Sequence, residues 1–385
     1  MNQDTITFML PERMTTDNSA DVESKIHEAT GGDFSVDLVL DAGEMNYISS
    51  SGLRVLLKAG KKYRSLLIQN VNDELYGIFD VTGFSDILNI RRMPKKYSVE
   101  GCEVIGKGAK GAVYRYNADS IIKVYFNSTI EDIEKETSLA KKALVAGVPT
   151  AISFGTVMVG DDYGSYFELI DAQTVTQAII NEPDKLDYYV GIMVDLLKDI
   201  HDTNVSRFDF PDFRIEGHAW INGGIANVDE LKARVISDMI DGMPERHTMI
   251  HGDFHSNNVM LQQGEPILID MDRVSYGQPV FELCGVYMCY QGFSLVDHEA
   301  VKRFLGIDYD TARKVWDIFL KKYIGTDEPD KLREAEDKIA LLTYARLIRR
   351  IYKGGRDLSE ENMKLRKIYM EKIDELLPRV KTLVI

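Results

Sequence analysis

A chain of 385 residues with 44% hydrophobic and 28% charged positions carries enough apolar material for more than one core, and no part of it has a collagenous, repetitive or low-complexity composition. The formal net charge of −15 opposes binding to polyanions, which excludes nucleic acid and anionic membranes as partners and leaves cationic substrates electrostatically admitted. Three cysteines without zinc or redox spacing, no basic leader at Met1-Asn2-Gln3-Asp4 and no run of eighteen apolar residues give the expectation of a soluble cytoplasmic protein.

In chain order, Ile6 to Leu10, Val36 to Leu40 and Leu66 to Ile68 read as strands, and Asn18 to Ala29, Gly52 to Tyr63 and Glu74 to Phe79 as helices. Strands alternating with helices predict an α/β sandwich. The most specific stretch runs from Val39 to Leu53, VLDAGEMNYISSSGL: a strand, a loop and a serine-rich helix start. It resembles the STAS domain of anti-sigma-factor antagonists, and the likeness continues through Asn70-Val71-Asn72, Leu75, Phe79 and Thr82-Gly83-Phe84 almost to Arg91. The resemblance implies a regulatory or docking module over residues 1–92 that engages a protein partner, and it aligns Ser50 with the serine phosphorylated in regulatory members. A phosphate at a helix N-terminus meets open amides and the favourable end of the dipole, and adds about −1.5 to −2 charge. Simple capping by Ser49 or Ser50, worth about 1 kcal/mol, accounts for the same serines, and Ser49 stands where the family's switch serine is usually preceded by aspartate.

Arg91-Arg92-Met93-Pro94-Lys95-Lys96-Tyr97 is a short basic stretch with a proline, suited to an exposed junction; residues 93–98 are taken as linker and 99–385 as a second domain. Val104-Ile105 then leads into Gly106-Lys107-Gly108-Ala109-Lys110-Gly111, followed by the strands Val113 to Tyr116 and Ile121 to Phe126. Strands on both sides, with no helix opening at the third glycine, argue for a phosphate-covering hairpin through Gly106, Gly108 and Gly111 and against a dinucleotide fingerprint. Ile121, Lys123 and Tyr125 share one strand face. The segment from Ser128 to Ala146 has a capping start and stops at Gly147, which predicts a helix with Ile133, Glu136, Ala140 and Ala143 inward. A carboxylate on an inward stripe is costly unless paired, and Lys123 is its natural partner.

Further on stands HGDFHSNNVMLQQGEPILIDMD, from His251 to Asp272. Two apolar runs, Val259 to Leu261 and Ile267 to Ile269, flank a Gly-Glu-Pro breaker and predict a β-hairpin. Centred on Gly264, that hairpin places Asn258 nearly opposite Asp270, with Cβ atoms roughly 4.5 to 5.5 Å apart. An amide oxygen and a carboxylate, completed by water and phosphate oxygens, suit Mg²⁺. Asp253, on the loop before the hairpin, is placed to accept the proton of an attacking hydroxyl.

From about Ser98 onward these motifs resemble the aminoglycoside phosphotransferase and choline kinase branch of the protein-kinase-like superfamily, on the HGD opening and the Ile-Asp-Met-Asp after the hairpin. The resemblance implies an α+β two-lobed kinase fold, with the N-lobe over residues 99–170 and the C-lobe over 171–385, and it implies ATP and Mg²⁺ as cofactors. It gives Asp253 as catalytic base, Asn258 and Asp270 as metal ligands, Lys123 and Glu136 as the ion pair, Glu168-Leu169-Ile170 as the adenine hinge and His201 as a structural helix-end histidine, with Asp272 near the metal. Ser256-Asn257 stands where relatives often have Pro-Gly.

Asp195, Asp199, Asp202, Asp209 and Asp212 fall in the region that forms the acceptor pocket in that branch, which suggests an amine-bearing acceptor. Later segments read as helices of the C-lobe: one from Thr311 with Val315, Phe319, Leu320 and Tyr323 on a stripe, then Ile339 to Tyr352 and Met363 to Leu377. Arg346, Arg349 and Arg350 read as a solvated basic face, with acceptor-phosphate binding as the alternative. The expected function is transfer of the γ-phosphoryl of ATP to a hydroxyl of a small molecule; the alternative is a signalling kinase acting on a protein serine, including Ser50 of its own chain.

Overall fold

The computed structural model describes residues 5–108, 111–353 and 359–385, so Ala109 and Lys110 of the glycine-rich turn lie outside the described residues. The chain divides into two compact units, Met1–Ser98 and Val99–Ile385.

In the first unit, four parallel strands lie in the order Thr5–Met9, Asp37–Asp41, Ser65–Val71, Asn89–Arg92. Parallel neighbours need a crossover, and the helices Ser19–Ala29, Ser50–Lys62 and Asp73–Val81 provide it. Leu38 and Leu40 alternate into a core with Leu56, Ile68, Leu75 and Phe79. Arg91 and Arg92 are not linker residues. They end the edge strand of this sheet, and the Arg92 guanidinium stacks 3.5 Å over the Tyr76 ring. An edge strand tolerates such charges, so apolar alternation does not reveal it. Lys95–Tyr97 is strand as well, which leaves Met93, Pro94 and Ser98 as the irregular residues within the expected linker.

The second unit opens with five strands running antiparallel in the order Ser153–Val159, Asp162–Glu168, Ser120–Tyr125, Gly111–Arg115, Glu103–Lys107. Thr129 and Asp132 close a reciprocal capping box at the start of the helix Ile130–Val145, which packs on the first two of these strands. Ile133, Glu136, Ala140 and Ala143 are all buried on it, as the helical period requires. The remainder is mainly helical around one large core, with the hairpin Val259–Gln262 and Glu265–Leu268 at its edge.

The helix Pro329–Tyr352 runs through that core, and every residue from Ile339 to Ile348 is buried. This overturns the reading of a solvated face for Arg346; Arg349 is half-buried, and Arg350, past the buried run, is exposed as expected. Arg346 is 8% exposed and lies 5.0 Å over the Trp220 ring, Arg349 fills the space beside Gly223, and Arg350 stacks 5.1 Å over Phe293. Where a helix is surrounded by protein, as over Ile339–Ile348, it has no solvent stripe, so a polar position such as Arg346 carries no information about which side faces out.

Candidate active site

Gly111 is required by backbone crowding: a Cβ there would lie 2.1 Å from the Val124 carbonyl oxygen, on the neighbouring strand. Gly106 and Gly108 are under no such constraint, since a Cβ would meet ordinary contacts at one and open space at the other. The Gly108 amide donates to the Gly111 carbonyl at 2.9 Å and closes the turn between the two strands.

On that neighbouring strand, Lys123 leaves the sheet on the face shared with Tyr125 and reaches two carboxylates. Its ammonium is 2.9 Å from Glu136 Oε1 and 2.8 Å from Asp270 Oδ1. Burial pushes the Lys123 ammonium down, but Asp270, the nearby Tyr125 and Glu136 more than offset this and hold it above its ordinary value. Burial likewise pulls the Glu136 carboxyl up, against the opposing pull of Lys123. Each group thus faces the charge of the other at hydrogen-bond distance, burial disfavouring both charges and the partner favouring them.

The hairpin register differs from the expected one. Val259 pairs with Leu268 and Gln262 with Glu265, so the turn is the two residues Gln263-Gly264 rather than a pivot on Gly264. Both have positive φ, 55° and 91°, the primed turn that matches strand twist. Asn258 consequently opposes Ile269, whose amide donates to the Asn258 carbonyl at 2.9 Å. Asp270 lies one residue beyond the pairing, at φ 63°, a left-handed conformation that redirects the chain and brings its carboxylate to Lys123. The expected near-opposition of Asn258 and Asp270 is thus replaced by a bend.

Asn258 donates its side-chain Nδ2 to the Asp253 carbonyl at 2.9 Å, which ties the loop to the hairpin and turns the amide oxygen the other way. Asn257 donates instead to the Phe304 carbonyl at 3.4 Å. His251 bridges the same elements, its Nε2 3.2 Å from the Ile269 carbonyl. Gly252 has φ 88°, and a Cβ there would lie 2.7 Å from Arg273 Cβ. Asp272 is half-buried beside Arg273.

Glu282 is the site residue that the motif analysis missed. It is fully buried, and its two carboxylate oxygens accept the backbone amides of His251 at 2.6 Å, Gly252 at 2.9 Å and Phe254 at 3.2 Å. Burial raises this carboxyl and the three amides pull it back; with donors on both oxygens, the carboxylate is the form that fits. Thirty residues separate it from the loop, so only an inward Glu on the apolar segment Val280–Tyr287 could have signalled it. His255, also buried, has an Nδ1 without a hydrogen-bond partner among the described residues, and burial holds its imidazole below the usual range.

At the expected hinge, the Glu168 and Leu169 amides are bonded to the Ile152 and Asp119 carbonyls, both at 2.9 Å. His201 is 2% exposed, with Nδ1 2.6 Å from the Tyr323 hydroxyl. The acidic set does not converge. Asp209 pairs with Lys142 at 3.1 Å, Asp212 caps the helix Phe213–Asn222 and pairs with Arg214, and Asp195 and Asp199 line a cavity beside the hairpin's turn at Gly264–Ile267. Cys284 and Cys289 are buried free thiols, as their apolar neighbours suggested. In the first unit Ser49 is the N-cap, accepting the Gly52 amide at 3.3 Å, and Ser50 is the exposed first residue of the helix.

Fold and site together describe a STAS unit joined to a two-lobed kinase-like unit. Residues 1–96 match the STAS domain and residues 101–315 match the phosphotransferase enzyme family known as APH, to which the chain belongs. No curated protein matches. Among solved structures, the chain is similar to an amicoumacin kinase, hAmiN, in complex with AMP-PNP, Ca²⁺ and Ami (17% identity, 81% of this chain, 95% of that one, TM-score 0.48). It is also similar to the ADP-bound aminoglycoside phosphotransferase APH(2'')-Ib (14%, 71% and 93%, 0.48) and to a choline/ethanolamine kinase family protein from Mesorhizobium loti (14%, 73% and 88%, 0.45). No described helix is long and apolar enough to cross a membrane.

Proposed function

We propose that this phosphotransferase moves the γ-phosphoryl group of ATP onto a hydroxyl of a small molecule. The observation that carries the reading is Lys123, which joins Glu136 of the first lobe to Asp270 of the second at hydrogen-bond distance. An ammonium held there is positioned to meet nucleotide phosphates, and the glycines Gly106, Gly108 and Gly111 of the turn between the strands Glu103–Lys107 and Gly111–Arg115 are assigned to the same phosphates. With the Glu168 and Leu169 amides already engaged, the Ile170 amide and the Glu168 carbonyl are the groups of this hinge assigned to the adenine edge.

The residues present fit Mg²⁺. Among the described residues no group of three or more His, Cys, Asp or Glu side chains is placed to hold a metal, so the available set is the Asn258 amide oxygen and the Asp270 carboxylate, completed by phosphates and water. A bound Mg²⁺ supplies neutralisation of phosphate charge. Asp253 accepts the proton of the acceptor hydroxyl as the new P–O bond forms and the β–γ bridge breaks, and Glu282 holds the loop that carries Asp253. In the Asp253→Asn variant, coupled measurement of ADP release is expected to show kcat lower by about 10²–10⁴-fold with little change in KM for ATP. Unchanged turnover would remove Asp253 from the role of base.

The second reading, phosphorylation of a protein serine, is favoured by one feature: Ser49 does the capping, so Ser50 stands exposed with its hydroxyl not needed for the helix. The covalent connection keeps that serine at high effective concentration, and the STAS unit is assigned a regulatory or docking role toward a protein partner. Peptide mapping after incubation with MgATP separates the readings, since phosphate on Ser50 that is lost in Asp253→Asn supports the second.

A further inference from the structure

Between Asp253 and Asn258 the chain makes a β-turn over residues 255–258, closed by the Asn258 amide donating to the His255 carbonyl at 2.9 Å. Its second residue is Ser256, at the position where a proline would fix φ covalently. Serine leaves that rotation free, so the turn needs restraint from outside the loop. Tyr290 accepts the Ser256 amide on its hydroxyl at 3.1 Å, Thr176 donates its own amide to the Ser256 carbonyl at 3.3 Å, and the Thr176 and Ser256 hydroxyls meet at 2.6 Å. All three residues are buried, so these bonds lie out of reach of bulk solvent.

Each partner is available for a structural reason. Thr176 is the second residue of the helix Val175–Asn181, and its amide is one of those that a helix start leaves without an intrahelical acceptor. Tyr290 stands in a π turn, Met288–Gly292, where the Phe293 amide donates to the Met288 carbonyl five residues back, at 2.9 Å. This turn follows directly on Val280–Tyr287, the helix of Glu282. In a continuous α-helix a residue eight positions after Glu282 would lie roughly 80° round the axis from it. The wider π turn takes up about one extra residue and carries Tyr290 back toward the face of Glu282. One helical segment thus holds both ends of the loop: Glu282 takes the amides of His251, Gly252 and Phe254, and Tyr290 takes that of Ser256.

We propose that Tyr290, seconded by Thr176, is a positioning residue for the phosphoryl transfer: its hydroxyl fixes the turn at 255–258, and the turn fixes Asn258 against Asp253. The link from turn to site is direct, since the Asn258 amide closes the turn while its side-chain Nδ2 donates to the Asp253 carbonyl. This rests on the phosphotransferase reading, in which Asp253 is the base and Asn258 a metal ligand. A shift of about 1 Å at a reacting group costs up to about 10²-fold in rate, so the hydroxyl acts on turnover more than on nucleotide affinity.

The test uses the full chain and Tyr290→Phe, which keeps the ring and removes only the hydroxyl. Hydrogen exchange read by mass spectrometry is expected to quicken about tenfold or more at the Ser256 amide, and to stay unchanged in peptides from the core helix Pro329–Tyr352. Release of ADP from MgATP, with water taking the γ-phosphoryl group to give inorganic phosphate, is expected to fall about tenfold in kcat with KM for ATP within about twofold. Ser256→Pro removes the amide that Tyr290 serves and suits the turn position, so in that background Tyr290→Phe is expected to change kcat by less than about twofold. A general loss of stability would not vanish in this way. If the proline variant does not fold, Thr176→Val, which removes the hydroxyl on the other side of Ser256, is expected to lower kcat in the same manner. Unchanged exchange at Ser256, an undiminished loss of kcat in the Ser256→Pro background, or full turnover in Thr176→Val would overturn the proposal. Absence of ADP release by the unaltered chain would instead strike the phosphotransferase reading, and exchange at Ser256 would then decide the role of the Tyr290 hydroxyl in the turn.

Discussion

Glu282 is a carboxylate with no solvent contact, and its cost of burial is offset by the three amides that define the shape of the Asp253 loop. Replacing it with Ala leaves those amides buried without an acceptor, at about 1–3 kcal/mol for each group left unsatisfied. Glu282→Ala is therefore expected to lower stability by several kcal/mol in denaturant titration, while Glu282→Gln, which keeps one acceptor oxygen, loses less and chiefly lowers kcat. Equal stability of the two variants would show that the amides find other partners. The motif from His251 to Asp272 was legible as chemistry in the sequence because its residues are close in the chain. Glu282 was not, because only the packing of a distant helix brings it to the loop.

At the scale of elements, register is where the expectation departed from the structure. The two apolar runs located the hairpin, but a pivot on Gly264 and a turn through Gln263-Gly264 differ by one residue, and in a strand one residue moves every side chain to the other face. The left-handed bend at Asp270 restores access to Lys123 after that shift, a compensation that lies in backbone conformation rather than in apolar pattern. The glycine turn makes a complementary case. Gly111→Ala would press a Cβ against the Val124 carbonyl, and backbone cannot yield there without parting the two strands. This variant is expected to lower the melting temperature and raise KM for ATP several-fold, whereas Gly108→Ala, which meets open space, should leave the melting temperature within about 0.5 kcal/mol of equivalent stability. Similar losses in both would mean that the turn, and not the strand contact, sets the effect.

For the whole molecule, the two units have separate cores, and each buries its own apolar residues. In the larger one His201 links global stability to pH. Burial pushes its imidazole from 6.5 down to about 3, so it is neutral when folded. Between those values the unfolded chain binds the extra proton, so the contribution of His201 is complete above about pH 6.5 and is lost progressively as pH falls toward 3. The melting temperature is expected to drop on acidification from pH 7 to 5, and His201→Asn, less stable throughout for loss of the Tyr323 hydrogen bond, should show a shallower slope. Parallel slopes would place the proton elsewhere.

Sequence by itself determined the two-part organisation, the Lys123 to Glu136 pairing and the cluster around Asp253, because these follow from local periodicity and short spacings, while the family of each part came from the resemblance of its motifs to known ones. Tertiary structure alone decided the bend at Asp270, the grip of Glu282, the divergence of the acidic residues and the burial of Arg346 beside an exposed Arg350. Each of these depends on which face of an element meets another, a question of packing that the pattern along one chain leaves open.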